Sequence, residues 1–239
     1  MTKIKLLIFD MDGLMFDTGR LAYRAYLQSA QMHNFQVTAD VYYYLTGRTE
    51  KGIMKGMHEL YGDTAPVGTW RFEINRSKDG ILKKEKRVFK KKGLLQILNS
   101  AKSAGLKVAL ASSTSKPKIM RYLEMEEMSG MMDIIVSGQD MKQGKPAPDV
   151  FLAASRLAEI AVESCLVFED SIVGIQAAKA AGIRSVLIED DIRALGGFDG
   201  KHKLLKNLDN LRDKMVISDF KFDDLSQAEK YLSKKDYII

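Results

Sequence analysis

The run Ile4-Lys5-Leu6-Leu7-Ile8-Phe9 is almost continuously apolar and ends in Asp10-Met11-Asp12-Gly13. A strand that is apolar on both faces belongs inside a parallel sheet covered on both sides. Where it runs out, two carboxylates arrive two residues apart. Side chains at that spacing in extended chain point the same way, so Asp10 and Asp12 can face one shared site. Gly13 lets the backbone turn sharply behind them. Adjacent anions repel, and such a pair calls for a cation or a shared proton. Taken alone, the motif fits an ordinary strand end followed by an acidic turn just as well.

The later pattern supplies the sheet that this strand needs. From Gly93 onward, apolar strands alternate with helical periodicity. Leu94–Ala101 reads as a helix closed by Ala104-Gly105, and Lys107–Ala111 as a strand that leads into Ser112-Ser113-Thr114-Ser115. Pro117 opens the next helix, in a position that proline tolerates. Asp133–Val136 is a strand, 137–148 a loop and Asp149–Leu157 a helix. Cys165–Phe168 is a strand, Ser171–Ala181 a helix that ends at Gly182, and Arg184–Ile188 a further strand. Such alternation predicts right-handed βαβ units and a doubly wound, Rossmann-like parallel sheet.

Between Asp17-Thr18 and Lys92 the periodicity is helical throughout, with breaks expected at Gly47, Gly62, Pro66-Val67-Gly68 and Asp79-Gly80. The expected organisation is therefore an α/β core of residues 1–16 and 93–239 with an all-helical domain, 17–92, inserted after the first strand. Tyr42-Tyr43-Tyr44, Met54 and Met57 are read as core of the helical piece. Beyond Asp190 the signal weakens. A short strand and helix are expected within Leu204–Met215, and a helix around Leu225–Leu232.

A chain of 239 residues with 46% apolar and 28% charged content can bury a substantial core. No apolar run approaches the ~20 residues of a membrane helix. The start of the chain lacks a signal-peptide layout. The single Cys165 sits in an apolar run and cannot form an internal disulfide, so a cytoplasmic home is expected. His33, His58 and His202 show no metal-ligand spacing.

The formal charge of +6 is local: residues 76–92 hold nine basic side chains against Asp79 and Glu85, a net +7. That run reads as a solvated helix face, or as a surface that attracts an anionic substrate or nucleic acid. Only Phe89 interleaves with it, which is thin for the stacking platforms of single-strand binders.

In an open α/β sheet, ligands bind beyond the carboxyl ends of the strands. Four such ends carry Asp10 and Asp12, then Ser112, then the loop with Lys145 framed by Gly144, Pro146 and Pro148, then Glu169-Asp170. Carboxylates from separate loops suit a hard divalent cation; Mg²⁺ takes one or two of them plus phosphate and water. Ser112 offers a hydroxyl, and its neighbours backbone amides, to phosphate oxygens. Lys145 supplies a point positive charge against the reacting phosphate. Each residue alone fits a turn, a cap or a surface position, but their joint order describes a phosphoryl-transfer site.

Phe9-Asp10-Met11-Asp12-Gly13, the strand ending at Ser112, Gly144-Lys145-Pro146-Ala147-Pro148-Asp149, and Phe168-Glu169-Asp170-Ser171 with Gly174 together resemble the haloacid dehalogenase (HAD) superfamily. The likeness is strongest to its β-phosphoglucomutase-like and sugar- or nucleotide-monophosphate phosphatase branch, and the helical insert falls where that branch carries its cap domain. The resemblance implies that Asp10 carries the phosphoryl group and that Asp12 acts as acid and then base. It also implies that Asp10, the Asp12 carbonyl, Glu169 and Asp170 hold Mg²⁺, and that Ser112, Ser113 and Lys145 bind the phosphate. Arg48, Lys51, Arg76 and Lys78 are the cap candidates for substrate contact.

Departures from the family pattern sort its activities. Asp12 argues against a dehalogenase, which usually lacks that second acid. A mutase should carry His where this chain has Ala22, and Arg where Glu50 stands, although Arg48 lies next to that place. Phosphatases of the branch often read Asp-Thr-Glu against Asp17-Thr18-Gly19 here. The reading is a Mg²⁺-dependent phosphatase of small phosphorylated metabolites, with a sugar phosphomutase and a nucleic-acid-binding protein as alternatives. A catalytically dead interaction protein would have no need of Asp10. The sequence leaves substrate and oligomeric state open.

Overall fold

The computed structural model describes residues 2–46, 50–190 and 218–235. These fall into two compact units, one formed by 2–17, 88–190 and 218–235 and the other by 18–46 and 50–87.

The first unit is built on a six-stranded, all-parallel sheet. Its strands are β1 (Leu6–Phe9), β2 (Lys107–Ser112), β3 (Ile134–Ser137), β4 (Cys165–Glu169), β5 (Arg184–Leu187) and β6 (Phe220–Lys221). They lie in the order β3-β2-β1-β4-β5-β6. Every residue of β1 and β4 is buried, as their unbroken apolar sequences require. β1 begins at Leu6 rather than Ile4, with Lys5 just before it bonded to Ser164 O through its N–H and to Lys107 N through its carbonyl. β4 runs one residue further than its apolar stretch and takes in Glu169, whose carbonyl accepts from Ile188 N at 2.8 Å.

The second unit is helical among its described residues. It contains α1 (Thr18–His33), α2 (Ala39–Leu45), α3 (Glu50–Tyr61) and α4 (Val67–Glu85). Its core holds Tyr42 and Met57, with Met54 packed against it. Phe35 stacks on Trp70 with ring centroids 4.3 Å apart, and Tyr61 meets the same indole edge-on at 5.2 Å. The break expected at Pro66-Val67-Gly68 is where α4 begins, with Pro66 as its N-cap. The one expected at Asp79-Gly80 is absent: both residues lie inside α4, where Trp70, Ile74, Ser77 and Leu82 keep one face buried. That burial outweighs the roughly 1 kcal/mol that an interior glycine costs. Arg71 forks onto Glu50 at 2.6 and 2.9 Å and also reaches the Tyr26 hydroxyl at 3.2 Å.

The remaining helices belong to the first unit: α5 (Leu94–Ser103), α6 (Lys116–Met125), α7 (Asp149–Ala158), α8 (Ile172–Ala180) and α9 (Leu225–Lys234). α9 answers the helix expected near the C-terminus. The strand and helix expected within 204–215 lie outside the described residues. Cys165 is fully buried, as expected of a small apolar side chain. No described helix is long and apolar enough to cross a membrane.

The boundary between the units differs from the one read in the sequence. The chain rejoins the sheet unit at Val88, not at Gly93. Buried Glu126, just past α6, takes hydrogen bonds from Val88 N and Phe89 N at 2.9 Å each, and Lys90 Nζ pairs with it at 2.9 Å. Asp17 N bonds to Phe89 O and Lys91 N to Met15 O, so the outgoing and returning segments pair with each other. A carboxylate that is distant in sequence thus anchors a stretch that, by composition alone, continues a basic helix. Lys91 and Lys92 are ion-paired as well, to Asp190 at 2.7 Å and Asp224 at 2.8 Å.

Candidate active site

Strand register brings the acids together. Phe9 is the partner of Leu110 on one side and Phe168 on the other, so Asp10 and Glu169 are the next residues along adjacent parallel strands. Asp10 N continues the ladder to Phe168 O at 3.0 Å, and the Phe9 and Phe168 rings stack at 4.6 Å just before the two acids. Ser112 closes β2 at the same edge and is buried.

After Asp10 the chain folds into a tight turn, with Met15 N and Phe16 N both bonded to Met11 O. Gly13 adopts φ 84° there, and a Cβ on it would overlap the Asp170 carboxylate. Glycine is required on both counts. Asp170 follows β4 directly, beside Ser171, whose hydroxyl caps α8 by accepting from Gly174 N.

Carboxylate oxygens of Asp10, Glu169 and Asp170 all lie within 4.8 Å of one another. Lys145, from the loop between β3 and α7, reaches between two of them, 2.5 Å from Asp10 Oδ1 and 2.5 Å from Glu169 Oε1. The other oxygen of Glu169 accepts from Asp170 N, Ser171 N and the Ser171 hydroxyl at 3.0, 3.0 and 2.9 Å. Asp12 Oδ2 accepts a hydrogen bond from Thr114 Oγ1 at 2.6 Å.

The electrostatics follow from burial. Burial pushes the Asp10 carboxyl up to about 7; Lys145 opposes the rise, while Glu169 and Asp12 add to it. Asp170 is raised well above the carboxylate range by burial and by the Glu169, Asp10 and Asp190 carboxylates. Burial alone would favour a neutral Lys145 amine, yet Asp10 and Glu169 outweigh it and hold the ammonium above the ordinary lysine range. Three clustered carboxylates, two of them reluctant to ionise, form a hard oxygen-donor set whose repulsion a divalent cation relieves. The residues present therefore fit such an ion.

Of the residues singled out in the sequence, Asp10, Glu169, Asp170 and Lys145 converge directly. Asp12 and Ser112 join them through the 112–114 turn, where Thr114 N donates to Ser112 Oγ at 3.2 Å. Ser113 follows in that turn, and Arg48 lies outside the described residues. Thr114, Ser137 and Asp190 carried no signal of their own, because a hydroxyl in a serine-threonine cluster and an acid past the last strong strand look like loop chemistry. Gly174 was legible only as part of the resemblance.

A family model described as haloacid dehalogenase-like hydrolase matches residues 7–188. The chain belongs to that family and is a hydrolase of it. One relative is the phosphorylated carbohydrates phosphatase of Thermotoga maritima, 30% identical over 192 residues, 77% of this chain and 84% of that one. Another is the Arabidopsis thaliana chloroplastic protein named suppressor of quenching 1, 32% identical over 192 residues; these are 78% of this chain but only 18% of that much longer protein. The crystal structure of β-phosphoglucomutase from Clostridium difficile shares the fold, with a TM-score of 0.70 at 20% identity over 98% of this chain and 97% of that one.

Proposed function

We propose that this protein is a Mg²⁺-dependent phosphatase of small phosphorylated metabolites, sugar phosphates or nucleoside monophosphates, acting through an aspartyl-phosphate. The observation that carries the reading is the convergence of the Asp10, Glu169 and Asp170 carboxylates on one point, with the Lys145 ammonium among them.

Asp10 is the nucleophile: its carboxylate oxygen forms a bond to phosphorus as the bond to the leaving alcohol breaks. Asp12, two residues on, gives its proton to that alcohol and then takes one from the water that cleaves the acyl phosphate. Lys145 and the Ser112 hydroxyl hold the phosphate oxygens and balance their charge. Asp10, the Asp12 carbonyl, Asp170 and Glu169 would hold Mg²⁺, which supplies positive charge to the phosphate when bound. Splitting one displacement into two steps requires both acids, and both stand at the end of β1.

The substrate class is supported by the Thermotoga relative, which is named for phosphorylated carbohydrates. Hydrolysis rather than mutation of the sugar is supported by Ala22, where a mutase carries His, and by Glu50, whose carboxylate is already engaged by Arg71. A cytoplasmic home is supported by the lone, buried Cys165. The test is a screen of phosphorylated metabolites with Mg²⁺, including isomerisation of β-glucose 1-phosphate. Phosphate release that is lost in Asp10→Asn is expected. Isomerisation without net phosphate release would replace the phosphatase by a mutase, and undiminished turnover by Asp10→Asn would remove the nucleophile.

A further inference from the structure

We propose that Thr114 is a positioning residue for Asp12: its hydroxyl holds one carboxylate oxygen so that the other is aimed to exchange the proton with the leaving group. This rests on the phosphatase reading above. Thr114 Oγ1 donates to Asp12 Oδ2 at 2.6 Å, a short hydrogen bond across 102 residues of sequence. The threonine is itself fixed at both ends of its backbone. Its N–H donates to Ser112 Oγ at 3.2 Å, and its carbonyl accepts from Ser137 Oγ at 2.9 Å. Ser137 is buried, ends β3 and is the register partner of Ser112. The carboxylate of Asp12 is thus tied through one side chain to two sheet strands.

The chemistry gives this tether a purpose. In the first step the Asp10–phosphorus bond forms, the phosphorus–oxygen bond to the alcohol breaks, and the proton leaves Asp12 for that oxygen. Asp12 is only half buried and stands on a turn rather than a strand. Free rotation of its carboxylate would spread the donor over positions of which few reach the leaving oxygen, and a displacement near 1 Å can cost about 100-fold. With Oδ2 held by Thr114, Oδ1 is the oxygen that carries the proton.

The test separates proton donation from mere folding by the leaving group. An aryl phosphate such as p-nitrophenyl phosphate expels an anion that needs no proton, whereas an alkyl phosphate such as glycerol phosphate expels an alkoxide that does. The quantity to compare is kcat/KM, which covers only the steps through departure of the alcohol. For Thr114→Val we expect kcat/KM to fall about 10-fold or more on the alkyl substrate and less than about 3-fold on the aryl one, within the span of general acid catalysis. Thr114→Ser, which restores the hydroxyl, should return the alkyl value to within about 3-fold of the parent protein. Ser137→Ala leaves the Thr114 side chain in place and should show the same selectivity, weaker; it serves also where Thr114→Val does not fold. Asp12→Asn is the reference and should be selective in the same sense. Equal losses on both substrates while Asp12→Asn remains selective would overturn the positioning role and leave the phosphatase intact. A parent protein that turns over neither substrate would take down the phosphatase reading and this inference with it.

Discussion

The carboxylate of Glu169 fills the space that a Cβ on Gly174 would occupy. The two residues face each other across the first turn of α8. Glu169 is held there by the Asp170 and Ser171 amides, the Ser171 hydroxyl and Lys145. A methyl group at 174 must therefore push the acid away from four donors rather than rotate a loose side chain. Alanine is the better helix former by roughly 1 kcal/mol, which offsets part of the strain. Gly174→Ala should keep its fold by circular dichroism yet lose activity by about 10-fold or more, with a raised Mg²⁺ requirement. A Mg²⁺ titration of activity checks this. An unchanged titration would mean that the placement of Glu169 does not matter to the ion.

The second prediction concerns the point where the chain returns to the sheet. Glu126→Ala removes the carboxylate that accepts from the Val88 and Phe89 amides and pairs with the Lys90 ammonium, which then still reaches the carbonyl of residue 126 at 2.8 Å. Removal of one partner from such a buried set should cost about 2–4 kcal/mol. Glu126→Gln keeps an acceptor for the amides and loses only the ion pair, so its melting temperature should lie between those of Glu126→Ala and the parent. Thermal unfolding of the three proteins gives the order directly.

The third prediction is a pH dependence. Burial raises Asp10 from its ordinary 3.8 to about 7, so the folded, metal-free protein holds a proton there that the unfolded chain releases. The associated stability is fully present below about pH 4 and is lost as pH rises through about 7. Asp170 is raised in the same direction. Mg²⁺ binds the ionised acids and restores what deprotonation removes. Melting temperatures with and without Mg²⁺ should thus diverge as pH rises from 5 to 8. Asp10→Asn should flatten the metal-free profile in that window. A Mg²⁺ effect larger at pH 5 than at pH 8 would contradict this.

Much of this was legible because the signals are local. The unbroken apolar runs of β1 and β4 declare strands buried on both faces, and Asp10, Ser112 and Glu169-Asp170 stand at strand ends where a parallel sheet binds ligands. What was hidden is what depends on contacts distant in sequence. Nothing near Val88 announces Glu126, so a basic segment that folds onto the sheet unit read as a continuation of the helical insert. Asp79-Gly80 carries a turn signature that α4 overrides by burying Trp70, Ile74 and Leu82. Thr114 is one hydroxyl among four in the sequence, and only the folded chain brings it to Asp12.

The account turns on phosphate passing through Asp10, and intact-protein mass after rapid acid quench of a turnover reaction reads that step most directly. The predicted result, with an aryl phosphate whose departure needs no acid, is a transient gain of one phosphoryl group that maps to Asp10, is absent in Asp10→Asn and accumulates in Asp12→Asn, where the acyl phosphate loses its base. Phosphate found on another residue, or full turnover by Asp10→Asn with no phosphorylated species, would contradict it.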